Sequence, residues 1–181
     1  DNGADMNAVN KEGKTPAQIA LKYIVLYNSA KNDQLRDDIL AIFKLDLLCR
    51  LDDERTLLHW AAIEGRERNV VRMLLDAGVP INAKDKFGST ALHLVASNKS
   101  SAAERIMQSL LDNGADINAT DIYGATPLHD AASSNASLSI FEILLKHNAD
   151  INAKDIHGLK PINLLREELE PEKAKLLKGK K

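Results

Sequence analysis

One cysteine, Cys49, stands alone in the chain, so no disulfide can close within it. Covalent stapling is excluded, and the chain reads as one of a reducing compartment or as indifferent to redox state. Set among Leu47, Leu48 and Leu51, the thiol is expected to be buried and inert. Aromatic residues make up only 4% of the composition, so Leu, Ile, Val and Ala must fill the core. That suits small, regular helix–helix interfaces. Charge of one sign is scarce too: the net charge is −2, which offers no bulk attraction for nucleic acid or an anionic membrane. Lys173, Lys175, Lys178, Lys180 and Lys181 crowd the C-terminal end, where a solvated tail is expected. Long apolar runs are missing. Stretches such as Ile39–Phe43 are far too short to span a bilayer, and the opening Asp-Asn-Gly-Ala-Asp is neither basic nor apolar. No membrane insertion is expected, and an intracellular location, cytoplasmic or nuclear, follows.

Signatures of catalysis are also absent. There is no phosphate-binding glycine loop, no dinucleotide fingerprint, no His-Glu-x-x-His and no cysteine pair. No catalytic, cofactor-binding or metal-binding residue is assigned, and no cofactor is expected. Glu167, Glu168 and Glu170 cluster, but carboxylates along an exposed helix are ordinarily solvated.

What the chain has is repetition. Thr126-Pro127-Leu128-His129-Asp130-Ala131 is echoed by Thr56-Leu57-Leu58-His59-Trp60-Ala61 and Thr90-Ala91-Leu92-His93-Leu94-Val95. Weaker echoes begin at Thr15 and Lys160, and the successive spacings are 41, 34, 36 and 34 residues. A period near 33 marks a stacked array in which each unit buries its apolar face against its neighbours.

One unit can be read physically. Asp121-Ile122-Tyr123-Gly124 predicts a tight turn, because Asp bonds the backbone ahead of it and Gly accepts positive φ. Thr126 suits a helix N-cap, with Pro127 at the first helical position. Leu128, Ala131 and Ala132 share one face of a short helix. A second helix begins near Ser137 and carries Leu138, Phe141, Ile143, Leu144 and Leu145. Asn148 holds the place of Gly78 and Gly114, where a left-handed residue ends the helix. Asp150–Ala153 is read as an extended link to the next turn.

The pattern Asp-x-x-Gly-x-Thr-Pro-Leu-His-x-Ala, followed by Leu-Leu-x-x-Gly-Ala-Asp-Ile-Asn-Ala, resembles the ankyrin repeat over nearly the whole chain. The resemblance implies an all-α solenoid of stacked helix-turn-helix units with projecting two-stranded β-hairpin loops. It implies a concave face of tips and first helices that binds another protein. It also implies that the recurring His59, His93 and His129 bond to neighbouring backbone and tie adjacent loops together. His147 and His157 are lone loop residues.

The expected organisation is a single domain over 1–181: a partial repeat at 1–14, repeats starting near 15, 56, 90 and 126, and a capping repeat at 155–181. Asp1–Ala8 matches Asp112–Ala119, so the chain is expected to begin at the tail of a second helix cut from a longer array. The first interval departs most. Residues 28–33 read as a loop before a helix to about Cys49, and Leu51–Arg55 must then run straight into Thr56, leaving a short or absent hairpin. The unit after Thr90 carries extra residues near Ser97–Ala102. In the last unit Lys160 replaces Thr, Asn163 replaces His, and a short helix over Glu172–Lys178 follows Pro171.

Residues free of scaffold duty are the candidates for binding. At the tips these are Lys86 and Phe87, Ile122 and Tyr123, and Ile156 and His157. Phe87, Tyr123 and His157 share one register position and should line one edge, either as a binding row or packed on one another. Ser97, Asn98, Ser133 and Ser134 end the first helices. Trp60 and Asp130 depart from the apolar residue usual inside the motif; Trp60 either fills the gap at the irregular junction or anchors a partner. The expected function is a rigid, non-enzymatic protein-binding module, monomeric in isolation. Alternatives are the substrate-recruiting arm of a larger enzyme or pathogen effector, and a spacer with no ligand. The resemblance also raises hydroxylation of Asn82, Asn118 and Asn152, against the simpler reading that they hydrogen-bond across the hairpins.

Overall fold

The computed structural model describes residues 13–14, 53–64, 68–165 and 171–179. The expected unit from Thr15, the helix to Cys49 and the carboxylates at 167–170 lie outside them. Eight helices are present among the described residues: α1 (Leu57–Glu64), α2 (Arg68–Asp76), α3 (Ala91–Ala96), α4 (Ala103–Asp112), α5 (Pro127–Ser133), α6 (Leu138–Lys146), α7 (Pro161–Leu164) and α8 (Pro171–Gly179).

Each motif starts a helix where its local chemistry demands. Thr126 is the N-cap of α5 in extended backbone, and Pro127 takes the first turn. Ser137 caps α6, its hydroxyl accepting the Ile140 N–H at 3.4 Å. The helix ends are as local: Asn148 has φ 64°, matching Gly78 at 86° and Gly114 at 87°. The left-handed residue lets the following N–H turn back onto the helix, as Ala149 N does to Leu144 O at 3.0 Å.

The helices form two stacks. α1, α3, α5 and α7 pack in one row, and α2, α4, α6 and α8 in the other. Between them runs one apolar core that includes Leu58, Leu74, Leu92, Leu110, Leu128, Phe141 and Leu144. Small residues on the first helices, Ala61, Ala91, Ala96, Ala131 and Ala132, are at most 3% exposed and let the inner row pack closely. Only Ala174 and Leu177 of α8 are buried, and its remaining described side chains are half-buried or exposed.

Two expectations need correcting. No strand exists among the described residues: each projecting tip is closed by two backbone bonds, such as Asp85 N to Ser89 O and Gly88 N to Asp85 O, which make a turn and not a ladder. The links after the second helices are turns, closed by Ala83 N to Pro80 O at 3.1 Å and Ala119 N to Asp116 O at 3.3 Å. Of the irregular junction, Asp53–Arg55 is described, and it keeps the second half of a tip. Glu54, at φ 59°, stands where the other tips have glycine, and the Asp53 carbonyl accepts the Lys86 N–H at 2.9 Å. The longer loop at 97–102, against 134–137 in the next unit, lies where the extra residues are expected.

Candidate functional site

The tips are self-capped turns. Asp121 Oδ1 accepts the N–H groups of Tyr123 and Ala125, each at 2.8 Å, and Asp85 and Asp155 do the same in their tips. Each tip then donates one N–H to its predecessor: Ile122 N to Phe87 O at 3.0 Å, and Ile156 N to Tyr123 O at 2.9 Å. The tips therefore stand in a row.

The histidines hold that row to the helices. His93 Nδ1 accepts from the backbone N–H of Thr90 at 3.2 Å and lies 2.9 Å from its hydroxyl. Its Nε2 donates to the Ala125 carbonyl of the next tip at 3.1 Å. A carbonyl only accepts, so the proton sits on Nε2. His59 makes the same strap to Ser89 O, and His129 to Leu159 O. Burial holds His93 below the ordinary histidine pKa, with the bond to Ala125 opposing in part. These histidines are scaffold. Asn163 keeps the capping half of the role, its Oδ1 accepting the Lys160 N–H at 2.9 Å. The hairpin asparagines bond to the next unit: Asn82 Oδ1 accepts Asp116 N and Asn118 Oδ1 accepts Asp150 N, both at 2.9 Å.

Between the tips and the inner helices lies a groove of about 680 Å³. Of the sequence candidates, Phe87, Tyr123, Ser97, Asn98, Asp130 and Ser133 line it. Lys86, Ile122, Ile156, His157, Ser134 and Trp60 do not. Ile122, Tyr123 and Ile156 are 56%, 53% and 62% exposed, an apolar crest along the tips. His157 is exposed as well, whereas Phe87 is half-buried with Lys86 Nζ 4.9 Å from its ring centre. Trp60 is 2% exposed and belongs to the core, so its ring fills the interior rather than facing a partner. Asn98 is committed as well: its amide donates to the carbonyls of Ala62 at 2.6 Å and Ile63 at 2.8 Å, strapping α3 to α1.

Sequence reasoning passed over Leu94 and Leu164, which also line the groove. They occupy the register position of Trp60 and Asp130, so the same column of the repeat could have identified them. Arg55 and Asp85 form a buried ion pair at 3.1 Å under one end of the groove. Asp53 lies 3.7 Å from Arg55 and also pairs with Lys86. Burial pushes the Asp130 carboxyl up to about 7, with Asp121 adding to the effect. No group of three or more potential metal ligands occurs among the described residues. No described helix is long and apolar enough to cross a membrane.

Comparison with known proteins agrees with this architecture. A family model for ankyrin repeats, in three copies, matches residues 21–121 and again 58–155. A transient receptor potential cation channel subfamily A member 1 homolog of Caenorhabditis elegans is 43% identical over 102 residues, which is 54% of this chain and 7% of that protein. The 26S proteasome non-ATPase regulatory subunit 10 of Mus musculus is 46% identical over 61 residues, 33% of this chain and 25% of that subunit. Its Homo sapiens counterpart is 44% identical over 61 residues, 33% of this chain and 26% of that subunit. The chain thus spans a quarter or less of the mouse and worm relatives.

Proposed function

The chain belongs to the ankyrin-repeat family, and from that premise we propose that it is a non-catalytic module that binds a partner protein in the groove between tips and inner helices. The observation that carries the reading is the division of labour within each unit. Scaffold residues are consumed by capping and strapping bonds, while Phe87, Tyr123, Ser97, Asp130 and Ser133 line a preformed groove. The tips are held by neighbouring tips and by the histidine straps, so binding orders little backbone and loses little affinity to entropy. The histidines, the residues best suited to acid–base chemistry, are committed to those straps.

Affinity capture with the chain, read by mass spectrometry, identifies the partner. Tyr123→Ala is the cleanest probe, since the ring is 53% exposed. It is expected to weaken the captured complex by about tenfold with an unchanged Tm, and Phe87→Ala added to it should abolish binding. Loss of stability with binding intact would make the rings scaffold. A second reading, a recruiting arm within a larger protein, is supported by the worm relative, where the matched stretch is 7% of the whole. The parent reading frame decides it: a catalytic or channel domain beside these repeats makes the module an arm.

A further inference from the structure

The fourth helical position of the inner row reads Trp60, Leu94, Asp130 and Leu164. Three of these are large and apolar, and the exception sits between two leucines that line the groove with it. Among the described residues, no hydrogen bond donor or ion-pair partner reaches the Asp130 carboxylate. Its backbone carbonyl is used by Ser133 Oγ at 3.2 Å and Ser134 N at 3.0 Å, but its side chain is not. A half-buried carboxylate without a partner is costly, and Leu at this place would be cheaper for folding.

The surrounding charges do not answer it. Arg55 is spent on Asp85 at 3.1 Å. Lys99 is exposed on the rim and makes no ion pair with Asp130. His129 is strapped to Thr126 and Leu159, and Asp121, whose Oδ1 caps its own tip, is a further negative charge facing the same space. Among the described residues the groove therefore holds negative charge that nothing matches, with aromatic rings at Phe87 and Tyr123 and apolar walls at Leu94 and Leu164.

We infer that the groove receives a cationic side chain of the partner polypeptide, a guanidinium or ammonium seated on the Asp130 carboxylate, its alkyl stem lying among Leu94, Tyr123 and Phe87. This rests on the groove being the binding face. A desolvated carboxylate gains most from a charge-assisted bond, and aromatic faces attract the same cation.

The pH dependence follows from the Asp130 carboxyl. A cation displaces its proton, so affinity rises from about pH 6 to about pH 8. A protonated carboxyl donating to a partner carbonyl would give the opposite slope.

A random peptide library displayed on phage and panned on the intact chain tests the inference. Enriched peptides should share one Arg or Lys. Replacing that residue by Gln, or Asp130 by Asn, should each weaken the synthetic peptide by at least about tenfold, and together should weaken it little further. Asp130→Leu, which restores the residue of the neighbouring units, serves as a second variant that retains the fold. Enriched peptides without a shared cation, or cationic peptides that survive Asp130→Asn unchanged, would overturn the cation inference while leaving the groove as an interface. Failure to enrich any peptide would sink both.

Discussion

The tips at Asp85 and Asp155 are the same turn in different company. Each carboxylate accepts two N–H groups of its own loop through Oδ1, at 2.9–3.0 Å in the first and 2.9 Å in the second. Each is closed by two backbone bonds, and each has a glycine at φ 75°. Around Asp85, however, the second oxygen is buried against Arg55, and the next tip presses on Gly88. Around Gly158 nothing lies within 4 Å of where a Cβ would stand. The turn is written in four local residues; what a substitution costs is written by the neighbour.

The ion pair gives the widest separation. Asp85→Asn keeps an oxygen for the turn but removes the nearer of the two carboxylates that answer Arg55, which is 3% exposed. We expect a loss of about 3 kcal/mol by urea unfolding, against a much smaller loss for Asp155→Asn at the exposed tip. Equal losses would mean that the turn, not the pair, sets the cost. The glycines supply a finer series. Alanine at any of them meets the same left-handed penalty of about 1 kcal/mol. Added to that, the new Cβ would stand 2.8 Å from Ile122 N at Gly88, 3.3 Å from Ile156 N at Gly124, and clear at Gly158. The expected order of destabilisation is Gly88→Ala, then Gly124→Ala, then Gly158→Ala, spanning about 1–3 kcal/mol. A flat series would show that tip stacking contributes nothing. Hydrogen exchange at the tip amides should follow the same order, because each unit contacts only its neighbours.

This contrast also explains what could be read from the chain beforehand. Thr126-Pro127, Ser137 and Asn148 act within a turn of themselves, so helix starts and stops were legible. The histidine straps were legible only through the family resemblance, since their targets lie about thirty residues on. The Arg55–Asp85 pair was not legible: the residue before each motif start varies as Arg55, Ser89, Ala125 and Leu159, so no register marks it. Asn98 looked free because its position varies between units, yet its amide holds two carbonyls of α1. Asp130 stood out as a departure from the motif, but only packing reveals that no side chain among the described residues answers it. The two-stranded hairpins were an implication of the family resemblance; a ladder needs more backbone bonds than two short arms supply.

The tip at Asp121, between those two, sharpens the comparison by pH. His93 straps it, and burial lowers the pKa of that histidine. In the folded chain the neutral ring is favoured, so the strap's contribution is complete above the unfolded value of 6.5. Below that, the unfolded chain takes up a proton that the folded chain resists. Stability is therefore lost as pH falls through the lower folded value, beyond which both states are charged. Asn163 shows which replacement separates the two halves of the role, since its side chain already caps a helix start in this protein. His93→Asn should keep the cap, lose the bond to Ala125 and cost about 1 kcal/mol at neutral pH. The gap between wild type and variant in urea midpoint should then narrow as pH drops from about 7 to about 5, because the variant has nothing at this place to protonate. Exchange at the Asp121 tip should rise in the variant while the Asp155 tip, strapped by His129, stays protected. Parallel pH curves for the two proteins would mean that His93 is not held neutral by its burial, and that the tip is secured by its stacking on Phe87 alone.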